Sequence, residues 1–420
     1  MASRPPGDPT GSTVLARRLA EWASSFAPTP EDLELATRSL RDTLAVTIAA
    51  RSDGLCALVA NSSEPLRWAS IGHVLDFDDL HMPSTTHVSV VCVPAVLGCG
   101  GDARCYLAAA GVMARLGTAL GWSHYARGWH ATCTAGAPAA AVGAGLALGL
   151  DADALAVALA LAVPAAGGVQ RAFGTAAKPL QVGFAADAGV RAARLAARGA
   201  GADPAAFDQW FALMGATAER IDLAGPAIPG GLAVKLFPCC FASQRPISAA
   251  RELVGHPVRA EDVARVVVRT PAATIQPLIH SRPVTGLQGK FSLEYAIATA
   301  LVDEYPGLDS FTDEAVGRAS VRELVERIEV QAPPGGAGLL DGALDLELTL
   351  ADGSTRRATL ALPPGSPGRP PTDAELDRKI KDCVGDLLPH VLGVTWHDAP
   401  ELLRAVLTSR AEPDDARAAG

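Results

Sequence analysis

The feature that most limits the fold of this chain is a series of alanine-rich segments that are apolar on nearly every side. They lie near residues 90–118, 135–149, 152–165, 180–199 and 205–218. A helix that is apolar all round has to be buried among other helices or in a membrane. The stretch from Ala135 to Gly168 is mostly Ala and Gly, and Asp151 and Asp153 interrupt it. This pattern favours buried helices over membrane spans.

The beginning of the chain also predicts helices. Thr29, Pro30, Glu31 and Asp32 form a helix start, because Thr caps a helix, Pro suits its first position and acidic residues suit its first turn. Apolar residues then recur at helical spacing to about Arg51. No strand alternation is evident before residue 230, so the first part of the chain is predicted to be all-helical.

The pattern changes after Gly231, where short strands are predicted. Val263 to Arg269 and Ile328 to Gln331 are β-branched runs. Leu344 to Leu350 alternates strictly, and an Asp-Gly turn separates it from 359–362, which is a hairpin signal. The predicted fold is therefore mainly α, with a large helical domain over 13–232 that is completed by a helical stretch over 373–410. A smaller α+β lid domain is predicted over 233–370, and disorder is predicted over 1–12 and 412–420.

Charge and cysteine usage exclude several classes of protein. The net charge is −9, whereas a nucleic-acid-binding protein normally carries a basic surface. The eight cysteines form no CxxC pair, so no iron–sulfur or structural zinc spacing is present. The N-terminus lacks the apolar core of a signal peptide. We therefore expect a cytoplasmic protein with no nucleic-acid partner and no membrane partner. A small anionic substrate would need a local cluster of basic residues.

The densest polar cluster runs from His73 to His87 and holds Asp76, Asp78 and Asp79. Histidine and aspartate are suitable metal ligands, so a metal site is one interpretation. However, on a helix His73, Asp76 and Asp79 would lie on adjacent faces, and no second His/Asp cluster completes the set. A solvated polar loop is a second interpretation. A site of acid–base catalysis is the one we favour, because of the motifs that follow.

Three further motifs carry candidate functional residues. His130 follows Gly128 and Trp129 immediately before a predicted helix, where a histidine either faces a cleft or simply caps and packs. Lys178 opens a long apolar helix, and Lys235 lies among apolar residues at the predicted domain boundary. The chain has only five lysines, so these two are less easily dismissed as surface residues. Clefts between domains are where ligand pockets collect.

Taken together, the motifs resemble those of the MmgE/PrpD family. This family includes 2-methylcitrate dehydratase, cis-aconitate decarboxylase and iminodisuccinate epimerase. Order and spacing agree over roughly residues 15–400. The matching segments are His73-Val-Leu-Asp-Phe-Asp-Asp79, His87 with Pro94 downstream, Gly128-Trp-His130, Lys178-Pro-Leu with Gly183, Lys235-Leu-Phe-Pro-Cys-Cys240 and Lys290-Phe-Ser-Leu-Glu-Tyr295.

The resemblance implies a helical domain and a lid domain with the active site between them, in a homodimer. It also implies that no metal and no other cofactor is needed. Asp76, His87, His130 and Tyr295 would be catalytic, and Lys178 and Lys235 would bind substrate carboxylates. Departures from the family pattern occur at three positions: Leu80, where Thr is frequent, and Gln181 and Gln244, where His is frequent. We expect these two glutamines to contact the substrate and the substrate to differ from 2-methylcitrate.

The resemblance implies a small carboxylate as the substrate, and we predict a lyase that dehydrates a hydroxy di- or tricarboxylate. One histidine would remove a proton next to a carboxylate, and the other would protonate the departing hydroxyl. The same residues would also support decarboxylation of an aconitate-like acid, or isomerisation or epimerisation of a dicarboxylate. A non-catalytic member of the family is a further alternative.

Overall fold

The structure is a computed structural model that describes residues 14–408, and it is mainly helical. The predicted disordered ends, 1–12 and 412–420, lie outside the described residues. The helices are α1 Leu15–Ser25, α2 Pro30–Ala49, α3 Leu55–Leu58, α4 Glu64–Val74, α5 Ser89–Leu97, α6 Ala103–Ala126, α7 Ala131–Ala147, α8 Ala152–Ala162, α9 Ala177–Ala197, α10 Ala205–Leu213, α11 Phe241–Val254, α12 Gly286–Gly289, α13 Leu293–Val302, α14 Asp313–Gly317, α15 Ala319–Glu326, α16 Asp373–Val384, α17 Leu388–Gly393 and α18 Ala399–Thr408. The strands are β1 Val263–Arg269, β2 Ile328–Gln331, β3 Leu344–Leu350 and β4 Thr355–Leu360.

Helix α7 lies at the centre of the larger lobe and packs against α5, α6, α8 and α9. All of its residues from Ala131 to Gly145 are buried, as the apolar sequence predicts. Small residues let the helices approach closely: a Cβ atom at Gly189 of α9 would lie 2.5 Å from the carbonyl oxygen of Ala137. Among residues 14–408, no helix is both long and apolar enough to cross a membrane. The alanine-rich helices therefore bury one another.

The helix ends follow local capping signals. Thr29 and Asp32 form the capping box at the start of α2 that the sequence predicts. The apolar segment near 90–118 is two helices, because Asp102 accepts a hydrogen bond from the amide of Cys105 and starts α6 anew. The helical stretch predicted over 373–410 is divided, as far as residue 408, into α16, α17 and α18. Gly385 has a φ of 53° at the end of α16.

The smaller lobe contains a four-stranded mixed sheet in the order β2-β1-β3-β4. Strands β1 and β2 are parallel, while β3 pairs antiparallel with both β1 and β4. The first three strands have the bounds that the sequence predicts, but β4 begins at Thr355 and ends at Leu360, before the predicted limit of 362. Helices α11, α13 and α15 contribute to the apolar core of this lobe.

The C-terminal helices α16, α17 and α18 return to the larger lobe, where each contacts α2. A buried ion pair joins α16 to α2, with Lys379 Nζ 2.6 Å from Asp42 Oδ1. The larger lobe therefore contains both ends of the described chain. The smaller lobe is formed by the part of the chain between these two ends. The segments that connect the lobes bring residues of both together.

Candidate active site

The loop between α4 and α5 is the structural base of the site. It includes Asp76, which has a φ of 51°, in the left-handed region that residues other than glycine seldom adopt. Such strain is concentrated at functional sites. Leu80 exchanges two backbone hydrogen bonds with Ala233, of 2.9 and 2.7 Å. The loop is thereby joined to the segment that enters the smaller lobe.

Asp76 is held between two lysines from different parts of the chain. Its Oδ1 accepts hydrogen bonds from Lys178 Nζ at 2.8 Å and from Lys235 Nζ at 2.9 Å. Burial would raise the pKa of the Asp76 carboxyl, but the two ammonium groups hold that pKa well below its usual value. Burial disfavours the charged form of Lys235, and the neighbouring Asp76 and Asp78 nevertheless raise its pKa. The three side chains therefore form a buried, hydrogen-bonded cluster in which the carboxyl of Asp76 is ionised.

Asp78 faces two histidines. His73 Nδ1 lies 2.9 Å from Asp78 Oδ2 in a hydrogen bond. His87 Nδ1 lies 2.9 Å from the same oxygen, but without the alignment of a hydrogen bond. Burial opposes ionisation of Asp78, yet the two imidazoles hold the pKa of this carboxyl well below its usual value. Burial also lowers the pKa of His73, and it lowers the pKa of His87 to about 3, so both rings are neutral near pH 7.

His130 immediately precedes α7, with its backbone amide bonded to the carbonyl of Gly168. Its Nδ1 lies 3.2 Å from the sulfur of Cys133, and its ring meets the ring of Phe173 edge to face. Burial, reinforced by the nearby ammonium of Lys178, holds the pKa of His130 well below its usual value. The ring is therefore a neutral imidazole. Its Nε2 is buried and has no hydrogen-bond partner among residues 14–408.

These groups surround a small cavity of about 20 Å³, which is room for about one water molecule. A ligand larger than water therefore requires the groups around this cavity to move. The polar lining residues are Asp76, Thr85, His87, His130, Lys178 and Cys240. The remaining lining residues are apolar or aromatic: Leu80, Tyr125, Phe173, Phe241, Phe291 and Leu339.

A metal ion is the obvious alternative occupant, because His73, Asp76, Asp78 and His87 bring potential ligand atoms within 4.8 Å of one another. The donor chemistry does not fit. Asp76 Oδ1 is already engaged by two ammonium groups, and Lys178 also donates to His73 Nε2 at 2.8 Å. Two fixed positive charges at the ligand atoms would repel a divalent cation. The cluster is better suited to proton transfer.

Of the eight residues that the sequence singles out, Asp76, His87, His130 and Lys178 line the cavity, and Lys235 lies directly behind Asp76. Tyr295, placed in the site by the resemblance, is packed in the core of the smaller lobe instead. Its hydroxyl donates to the carbonyl of Ser310 at 2.5 Å. A hydrogen bond from this hydroxyl to a substrate therefore stays a prediction, and it would need the hydroxyl to leave Ser310.

The two glutamines expected to contact the substrate also lie outside the cavity lining. Gln181 Oε1 accepts a hydrogen bond from the amide of Val169 at 2.5 Å. Gln244 is buried, and its Oε1 accepts from the amides of Leu236 and Phe237 at 3.1 and 3.0 Å. The physical reason is that both side chains satisfy nearby backbone groups. Gln244 thereby holds the segment that carries Lys235.

Other functional positions were missed at the level of sequence. The sequence places His73 and Asp78 within the acid–base cluster but assigns neither an individual role, although the two are hydrogen-bonded at the base of the site. Their place within the polar cluster was the available signal. Phe173 and Phe291 line the cavity from distant parts of the chain, and Lys178 Nζ lies 5.3 and 5.0 Å from their ring centroids. No local pattern distinguishes such residues from ordinary core aromatics.

The fold and site define a mainly helical, two-lobed protein with a buried His–Lys–Asp cluster between the lobes. Family models agree with this description: the MmgE/PrpD N-terminal domain matches residues 66–220, and the MmgE/PrpD C-terminal domain matches residues 237–393. Together these matches cover well over half of the chain. The chain belongs to the MmgE/PrpD family.

Two similar proteins are known by their activity. Cis-aconitate decarboxylase of Mus musculus is 27% identical over 199 residues, which are 43% of this chain and 40% of that protein. Cis-aconitate decarboxylase of Homo sapiens is 24% identical over 247 residues, which are 55% of this chain and 50% of that protein. The alignments therefore span half or less of the length of these curated relatives. They support a lyase-type family and leave the substrate open.

Proposed function

We propose that this protein is a lyase that removes water from a small 3-hydroxy carboxylate bound between the two lobes. The observation that carries the proposal is Asp76. Its Oδ1 is saturated by two lysines, while its Oδ2 is buried and has no hydrogen-bond partner among the described residues. An ionised carboxylate oxygen accepts hydrogen bonds only, so it needs a donor from the ligand. A substrate hydroxyl is such a donor, and a substrate carboxylate is not.

In this proposal His87 is the base. Its Nδ1 lies against Asp78, which leaves Nε2 to take the proton from the carbon next to the substrate carboxylate. The electron pair of the broken C–H bond forms the C=C bond as the C–O bond breaks. His87 then returns the proton to the departing oxygen, which leaves as water. Asp78 stabilises the transient imidazolium, in the way that a carboxylate supports a catalytic histidine.

His130 has a different role, because its Nδ1 faces the thiol of Cys133 and not a carboxylate that would stabilise an imidazolium, as Asp78 does for His87. As a neutral ring it donates one hydrogen bond from Nε2 to the departing hydroxyl oxygen, on which negative charge develops as the C–O bond breaks. Lys178 binds the substrate carboxylate and stabilises the negative charge that accumulates there. Separation of the lobes would admit the substrate, and closure would exclude bulk water from the reaction.

Decarboxylation of an aconitate-like acid is the second candidate, favoured by the named activity of the two relatives. The same cluster would then bind the carboxylates and protonate carbon after loss of CO2. This alternative leaves Asp76 Oδ2 without a donor, because cis-aconitate carries no hydroxyl. We therefore rank it below dehydration.

Mass spectrometry of the full chain incubated with malate, citrate, 3-hydroxybutyrate and cis-aconitate tests the proposal. We expect the protein to remove water from a hydroxy acid. His87→Gln should abolish this reaction, whereas the control His256→Gln, at an exposed histidine, should retain it. Loss of CO2 from cis-aconitate alone would move the protein to the decarboxylase branch. Hydroxy acids that neither lose water nor exchange hydrogen in deuterated water would contradict proton abstraction at this site.

A further inference from the structure

We propose that the substrate carries a single carboxylate and that its remaining part, apart from the reacting hydroxyl, is apolar. This inference rests on the proposed function and narrows its substrate class. The sequence, by contrast, suggests a di- or tricarboxylate. The arguments are the number of cationic donors that reach the cavity, the charge already fixed around it, and the chemistry of its walls.

The first argument concerns Lys178, whose ammonium lines the cavity. A lysine ammonium has three N–H donors and no acceptor. One of them is used by His73 Nε2 and a second by Asp76 Oδ1, both at 2.8 Å. Only one donor of this ammonium is left for a ligand, which is enough for one oxygen of one carboxylate.

The other buried lysines do not supply the missing donors. Lys235 is fully buried and donates to the backbone oxygen of Asp76 at 2.7 Å and to its Oδ1 at 2.9 Å. Lys290 donates to the carbonyls of Leu75 and Pro238 at 2.9 and 2.7 Å. Neither is part of the cavity lining, and no arginine is either. Arginine is the usual bidentate partner of a carboxylate, and this arginine-rich chain places none in the lining.

The second argument is the charge that is already present. Lys178 and Lys235 both pair with Asp76, and Asp78 is a second buried carboxylate whose pKa is held low. The neighbouring rings of His73, His87 and His130 are neutral. One substrate carboxylate can still take the remaining N–H donor of Lys178. A second or third would be buried without a counter-charge, which is among the most unfavourable events in a closed site.

The third argument is the apolar wall of the cavity beside Lys178. Phe173 from the larger lobe and Phe291 from the smaller lobe stack with ring centroids 5.3 Å apart. Leu80, Phe241 and Leu339 extend this apolar surface. Such a wall offers no hydrogen bond to a carboxylate, whereas an alkyl or aryl substituent gains by leaving water. Because both lobes contribute, the apolar group would be enclosed when they close.

The test compares three 3-hydroxy acids that differ in carboxylate number: 3-hydroxy-5-methylhexanoate with one, malate with two and citrate with three. Apparent dissociation constants come from thermal-shift titrations of the full chain. We expect the monocarboxylate to bind at least about tenfold more tightly than malate, and citrate to bind more weakly still. Tighter binding of malate or citrate would overturn the inference but leave the proposed function standing. Failure of all three to bind would overturn both.

A variant series tests the apolar wall directly. Phe291→Ala is expected to weaken binding of 3-hydroxy-5-methylhexanoate by about tenfold or more and to leave malate unaffected. Phe184→Ala is the matched control, because Phe184 is 54% exposed. If Phe291→Ala does not fold, Leu339→Ala provides the same test, since Leu339 lies outside the helices and strands. Equal losses for both ligands would contradict a role of this wall in selecting the substrate.

Discussion

The Nε2 atom of His73 lies 2.8 Å from the Nζ atom of Lys178. Because a lysine ammonium has no lone pair, this ring nitrogen accepts the hydrogen bond, and the proton of His73 is on Nδ1, facing Asp78. A continuous polar chain therefore runs from Lys178 through His73 and Asp78 to His87. It connects the group that would hold the substrate carboxylate to the group that would remove the proton.

Asp78→Asn should reduce turnover while the substrate still binds. The amide cannot stabilise an imidazolium at His87, and it offers its NH₂ group where both rings need an acceptor. We expect kcat to fall by about 10²–10⁴ with a small change in KM. Steady-state kinetics provides the measurement, and the exposed Asp309→Asn is the control. A rise in KM at constant kcat would instead place Asp78 in substrate binding.

Asp76→Asn should destabilise the fold as well as impair activity. Asparagine keeps the shape of the side chain and tolerates the left-handed backbone, so the change isolates the charge. Lys178 and Lys235 would lose their shared buried counter-ion, which should cost about 3–5 kcal/mol in the free energy of unfolding. Urea denaturation measures it. Asp153→Asn breaks the exposed pair with Arg17 and should cost less than about 1 kcal/mol; equal losses would be evidence against the buried cluster.

Tyr295→Phe tests the placement of this residue away from the cavity. The variant loses the hydrogen bond to the carbonyl of Ser310, so we expect a loss of about 1 kcal/mol in stability. Because the hydroxyl does not reach the cavity, kcat and KM should not change. Chemical denaturation and steady-state kinetics on the same preparation separate the two effects. A fall in kcat without a loss of stability would return Tyr295 to the active site.

Cys133 should influence which nitrogen of His130 carries the proton. Burial raises the pKa of this thiol to a value at which it stays protonated, so its S–H can donate to His130 Nδ1 and leave the proton on Nε2. Cys133→Ser keeps a donor and should preserve activity, whereas Cys133→Ala should lower kcat by about tenfold. Nitrogen-15 chemical shifts of the ring report the tautomer directly, and the half-buried Cys56→Ser serves as the control. An unchanged tautomer in Cys133→Ala would contradict this role.

The stability of the protein should fall as the pH drops below about 6.5. Burial lowers the pKa of His81 and His124 to about 4 and that of His87 to about 3, and it also lowers the pKa of His73 and His130. With folded-state pKa values below those of the unfolded chain, the folded state binds fewer protons. The contribution of these neutral histidines to the free energy of unfolding is therefore fully present above the pKa of histidine in the unfolded chain. It is lost as the pH falls below that value.

The contribution of Asp79 to stability has the opposite pH dependence, because burial raises the pKa of its carboxyl to about 7. This contribution is present at low pH and is lost as the pH rises through that value. Burial also raises the pKa of Asp42 and Glu294, but from lower starting values. Between pH 8 and pH 5 the five histidines outweigh these carboxyls. The midpoint of urea unfolding, measured from pH 8 to pH 5, should therefore decrease toward acid. A midpoint that stayed constant or increased would show that the histidines are not buried in the neutral form.

Local patterns were enough to predict much of the fold. Strict alternation gives Leu344–Leu350 as a strand, and the capping residues Thr29 and Asp32 give the start of a helix, because these signals act between neighbours in the chain. The all-helical first part follows from helices that are apolar all round. The exact ends of β4 and the division of the C-terminal helical stretch depended on pairing and packing, which distant residues decide.

The sequence by itself determined the candidate chemistry: histidines, aspartates and two lysines in an ordered set of motifs. Only the tertiary structure decided which of them meet. Lys178 and Lys235 are far from Asp76 in the chain, yet both donate hydrogen bonds to its Oδ1 atom. The side chains of Tyr295 and Gln244 instead bind backbone groups of the smaller lobe. The physical reason is that hydrogen-bond satisfaction in a buried site is a property of the folded surroundings. The residue type determines which hydrogen bonds a side chain can donate or accept, and the fold determines which partner it meets.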